Sequence, residues 1–111
     1  MVTKEHKYWL ARKKLFVDGL SKALAYDCGQ VIDLRYEAYE KEDETEPLEF
    51  VIVTFRGGAI SVRNVHMNSH SAILRDVGQL VDGGYYAEVE YYEKLQSDKE
   101  WSLIDFSKLC K

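Results

Sequence analysis

The sequence predicts a single α+β domain of two layers, in the order helix, three-stranded antiparallel sheet, helix, followed by an acidic, tyrosine-rich C-terminal segment. Three observations predict it. Apolar residues recur at helical spacing over 3–28, the period falls to two from Gln30 to Val65, and helical spacing returns over 72–81. Helices set on one face of a short meander are a stable way to bury both kinds of element. At 111 residues the chain can bury one core and not two. Its 46% hydrophobic and 31% charged content is that of a globular protein rather than a disordered chain.

The first helix is expected over 3–28. Trp9, Phe16, Leu20 and Leu24, joined by Leu15 and Ala23, form its apolar stripe, while Arg12, Lys13 and Lys14 point away. Gly19 interrupts it at some cost in helix propensity, or marks the close approach of another backbone. Gly29 is placed to stop the helix in the left-handed conformation.

The first strand follows, with Ile32, Leu34, Tyr36 and Ala38 on one face. Lys41-Glu42-Asp43-Glu44-Thr45-Glu46-Pro47 is too charged to be buried and reads as a loop. Leu48 to Phe55 is β-branched and aromatic, the clearest strand in the chain. Gly57-Gly58 supplies a turn, and Ala59 to Val65 returns. With those two glycines as a two-residue turn, Phe55 faces Ile60, Val53 faces Val62 and Val51 faces Asn64 on one buried side. On the other side Thr54 meets Ser61, Ile52 meets Arg63, Phe50 meets Val65 and Leu48 meets Met67. That second side needs a cover, either residues after Tyr85 or a second copy of the chain, as in a homodimer.

Asn68-Ser69-His70-Ser71 is rich in N-cap types and opens a helix over 72–81, with Ile73, Val77, Leu80 and Val81 buried. Asp82-Gly83-Gly84 ends it. Residues 85–111 fit a helix through Tyr85, Val89, Tyr92 and Leu95. They also fit a strand pair turning at Ser97-Asp98 into Trp101 to Phe106. Glu93 would point inward in the strand reading, which favours the helix.

Candidate chemistry is sparse. His66 and His70 stand four apart, but at a strand end and a helix cap rather than on one helix, with no third ligand. Ser69, Ser71 and His70 are neighbours in sequence, where capping already accounts for the serines. Gly57-Gly58 and Gly83-Gly84 fit turns and no phosphate-loop pattern. Cys28 and Cys110 form no CxxC pair; spacing alone does not decide whether they join, and two reduced thiols are preferred. Residues 1–7 hold no apolar stretch of a signal peptide, and no window approaches the ~18 apolar residues of a membrane span. The expectation is a cytoplasmic, non-membrane protein with no catalytic site, metal or cofactor.

Charge carries more information. Over residues 1–26, six bases (Lys4, Lys7, Arg12, Lys13, Lys14, Lys22) stand against Glu5 and Asp18, a balance of +4. The remainder has nine bases against seventeen acids, a balance of −8. An acidic body repels phosphate backbones and attracts basic surfaces. The element order resembles the double-stranded RNA-binding domain. That family, however, carries a lysine-rich patch where this chain has Ser69-His70-Ser71-Ala72, so direct nucleic-acid binding through the basic first helix is only an alternative.

The acids themselves are the better candidates. Glu42, Asp43, Glu44 and Glu46 crowd one loop, and Glu88, Glu90 and Glu93 interleave with Tyr85, Tyr86, Tyr91 and Tyr92. Such loops are often merely solvated, but tyrosine favours protein interfaces and spaced carboxylates can imitate phosphates. Through residues 31–38, 48–65, 72–81 and 83–93 the chain resembles the small phage-encoded anti-CRISPR inhibitors of Cas9, in architecture and without a specific motif. The resemblance implies an inhibitor that mimics DNA and occupies a basic site on a CRISPR effector nuclease, with the acids as contacts. The other reading is an accessory subunit of a mobile-element complex with no inhibitory role.

Overall fold

A computed structural model describes residues 1–27, 31–65, 69–83 and 88–109. The order is α1 (Lys4–Asp27), β1 (Val31–Lys41), β2 (Leu48–Phe55), β3 (Ile60–Asn64), α2 (His70–Gly83), α3 (Val89–Ser97), β4 (Trp101–Leu103) and a 3₁₀ turn (Phe106–Leu109). The strands form one antiparallel sheet in the order β3-β2-β1-β4. The α+β class and the meander are as expected; the sheet has a fourth strand, and helices cover both of its faces rather than one. Residues 88–109 thus combine the two readings, a helix followed by a short edge strand.

One core lies between the sheet and the first two helices. Leu10 and Val17 of α1 and Ile73, Val77 and Leu80 of α2 pack on Val31, Leu34, Ala38, Val51 and Val53. Thr3 caps α1, its hydroxyl accepting from the His6 N–H at 3.1 Å. Ser69 caps α2 in the same way through the Ala72 N–H at 3.1 Å. A second core lies on the opposite face, where Tyr92 and Leu95 of α3 cover Tyr39, Phe50, Ile52 and Val62. The second face of the hairpin is therefore covered by the chain's own C-terminal segment. None of the described helices is long and apolar enough to cross a membrane.

Three details differ from expectation. The buried side of α1 is Leu10, Lys13 and Val17, with Phe16, Leu20 and Leu24 at its margin, whereas Trp9 and Leu15 are 58% and 71% exposed. Lys13 lies inward because an acid awaits it on the sheet, as described below. The β2–β3 register is one residue off: Val51 pairs with Arg63, Ile52 with Val62 and Val53 with Ser61. The cause is a three-residue loop, closed by Phe55 N–H to Ala59 O at 2.8 Å and Gly58 N–H to Phe55 O at 3.0 Å. Arg56 joins Gly57 and Gly58 in it, so Val53 and Val62 fall on opposite faces of the sheet. Finally, an irregularity between Val31 and Asp33 turns Val31 inward and leaves Ile32 exposed.

Gly19 marks no close approach, since a Cβ there would meet nothing within 4 Å. The readings on Cys28, Gly29, His66, Met67, Tyr85, Tyr86 and Cys110 lie outside the described residues.

Candidate functional site

β1 runs on to Lys41, and the turn beyond it leaves Glu42, Asp43, Glu44 and Glu46 exposed. The Lys41 ammonium meets Glu100 at 3.1 Å and Asp43 at 3.9 Å, and lies 5.9 Å from the centre of the Trp101 ring. Its hydrogen bond to Glu100, then the charge of Asp43, raises the Lys41 pKa. The N-terminal ammonium donates to the Glu42 carbonyl at 2.7 Å, and Lys7 pairs with Glu40 at 2.9 Å. Between residues 40–43 and 99–102 an open groove of about 760 Å³ separates the loop from the chain that leaves α3. The loop and the segment that follows α3 thus meet at Lys41, between Asp43 and Glu100.

On α3 the predicted residues divide. Tyr92 is 6% exposed, and its hydroxyl donates to Glu37 Oε1 at 2.6 Å. The Tyr39 hydroxyl donates to the same oxygen at 2.7 Å, and Arg35 Nε to Glu37 Oε2 at 3.0 Å. Burial would raise the Glu37 carboxyl; hydrogen bonds from Tyr92, Tyr39 and Arg35 outweigh it and hold the group below its ordinary value. The Tyr92 and Tyr39 phenols are both raised, chiefly by burial. Glu37 is therefore the hub that fastens α3 to β1. Glu88 is also occupied, its carboxylate accepting the backbone N–H of Asn64 at the sheet edge.

Glu90, Tyr91 and Glu93 remain exposed on the outer side of α3. Tyr91 is 46% exposed yet held edge-on to Phe50, with centroids 5.8 Å apart and planes at 86°. Tyr92 and Glu88 thus belong to the packing, and the accessible part of the predicted surface is Glu42, Asp43, Glu44 and Glu46 with Glu90, Tyr91 and Glu93.

Two features were not anticipated from sequence. Lys13 Nζ lies 2.7 Å from Glu49 Oε1, and the Tyr36 hydroxyl donates to that oxygen at 2.6 Å, all three side chains being buried between α1 and the sheet. A signal existed: Lys13 falls on the Leu10–Val17 helical spacing, and Glu49 interrupts an apolar strand. The other is a cavity of about 460 Å³ beside Trp9, lined by residues of α1 and the start of α2. His70, the first residue of α2, lies flat on Phe16 at 4.4 Å and 9°. Among the described residues no three His, Cys, Asp or Glu gather where a metal ion could be held.

No family model matches the chain, and neither a curated protein nor a solved structure is significantly similar to it.

Proposed function

We infer that the chain is a protein-interaction domain that offers an acidic, tyrosine-bearing surface to a partner with a basic one. The observation that carries this reading is the set of exposed carboxylates, Glu42, Asp43, Glu44 and Glu46 on the loop and Glu90 and Glu93 beside the half-exposed Tyr91 on α3. The acids and tyrosine exposed there are free of the networks that consume Glu37, Glu49 and Glu88. Carboxylates on a rigid frame, with an aromatic anchor among them, suit a groove built for a phosphate backbone. The finer proposal is an inhibitor that takes the place of nucleic acid in a nuclease of the CRISPR effector class.

Charge and area then act separately. Reversing Glu42, Glu44, Glu90 and Glu93 to lysine should lower the association rate and flatten its dependence on salt. Tyr91→Ala should mainly speed dissociation, by about 2 kcal/mol if it is a hot spot. Surface plasmon resonance against the nuclease at several salt concentrations separates the two; unchanged rates and salt slope in the reversed variant would defeat the reading.

A further inference from the structure

On the face of the sheet opposite α3, α1 and the first residue of α2 enclose the cavity of about 460 Å³, within the roughly 300–1,000 Å³ typical of small-molecule sites. Its lining is His6, Trp9, Leu10, Arg12, Lys13 and His70. Among the described residues no carboxylate lines it, although the chain as a whole carries a net charge of −4. Three bases on that helix are matched with acids: Lys7 with Glu40, Lys13 with Glu49 and Lys14 with Asp18. Arg12 has no such partner among the described residues. Its guanidinium carbon stands 5.1 Å from the centre of the Trp9 ring, and that indole is 58% exposed.

An exposed tryptophan beside an arginine that no described carboxylate neutralises is suited to a ligand that is both flat and anionic. The guanidinium fork matches phosphate oxygens two at a time. An indole face accepts a nucleobase of any sequence by stacking. His70 is held in place by its stack on Phe16, and the partial positive charge of the α2 N-terminus has the same sign as Arg12. We propose that this cavity binds a nucleoside monophosphate or a similar phosphate ester of an aromatic group, with Arg12 on the phosphate, Trp9 against the ring and Leu10 beneath it.

Isothermal titration calorimetry with adenosine monophosphate, adenosine and inorganic phosphate tests this on the intact chain. Saturable one-to-one binding of the monophosphate is expected, with adenosine and phosphate alone each weaker by about tenfold or more, the scale of one charge-assisted hydrogen bond. Arg12→Gln and Trp9→Leu should each weaken it by about tenfold, and Trp9→Phe by less because a ring face remains. Both side chains lie at the surface, so circular dichroism should show the native fold in each variant. The proposal is overturned if the monophosphate gives no saturable binding, if phosphate alone binds as tightly, or if both variants bind like the native chain. A single-stranded oligonucleotide that binds more tightly through the same two residues would also overturn it, in favour of a nucleic-acid strand. The cavity lies on the face opposite α3 and shares no lining residue with the acidic surface, so failure here leaves the protein-binding reading standing.

Discussion

Lys13 and Glu49 form a charged pair inside the first core, and the Tyr36 hydroxyl shares the same carboxylate oxygen. Removing one member of such a pair strands the other in a medium that solvates it poorly. Lys13→Met should therefore cost about 3–5 kcal/mol, and Tyr36→Phe, which leaves the pair intact, about 1.5–3 kcal/mol. Urea unfolding of the two variants measures both, and equal small losses would show that the pair is well hydrated. Glu37 makes a pH-dependent contribution. Its folded pKa lies below the ordinary 4.5, so the stability it supplies is complete above that value and is lost as pH falls through the lower, folded one. Glu37→Gln should flatten the acid limb of stability against pH, and an unchanged limb would assign it to other carboxylates. Hydropathy periodicity alone hides both networks, because it counts Lys13 and Glu49 as surface residues even where their spacing places them inward. Only the partner across the interface makes each of them an inward one.

The hairpin between β2 and β3 and the two helices around it were legible from period and turn chemistry. The register was not, because Gly57-Gly58 fits a two-residue or a three-residue loop equally well and only the observed closure from Phe55 to Ala59 decides between them. Both glycines have positive φ, 101° and 96°, with open space where a Cβ would stand. Gly57→Ala should thus destabilise by about 1–2 kcal/mol through backbone strain alone. Gly19 and Gly78 lie inside helices with equally open surroundings. Gly19→Ala and Gly78→Ala should each stabilise by roughly 0.5–1 kcal/mol. Thermal unfolding of the three variants checks opposite signs for the same chemical change; a shared sign would contradict the assigned conformations. The C-terminal segment was ambiguous for a physical reason. Tyr92 and Leu95 satisfy helical spacing, Trp101 and Leu103 satisfy strand spacing, and both patterns are real because the chain uses them in succession.

Charge separates across the whole molecule. Three of the six bases of α1, Lys7, Lys13 and Lys14, pair with acids of their own chain, while the 42–46 loop and the outer side of α3 keep exposed carboxylates. The excess of acids in the body was readable from the sequence by counting. Which acids serve the fold was not, since Glu88 and Glu93 look alike until one of them meets the Asn64 N–H at the sheet edge. That division makes the central claim testable without disturbing the fold, because substitutions at exposed sites usually move stability by no more than ~0.5 kcal/mol. The most direct measurement titrates the domain into a complex of a Cas9-type nuclease with labelled duplex DNA, at low and at high salt. The account predicts that the native domain displaces the DNA and does so less well as salt rises, whereas the variant with Glu42, Glu44, Glu90 and Glu93 reversed to lysine keeps its urea midpoint and displaces nothing. Displacement by the reversed variant equal to that by the native domain, or direct binding of the DNA by the domain itself, would contradict it.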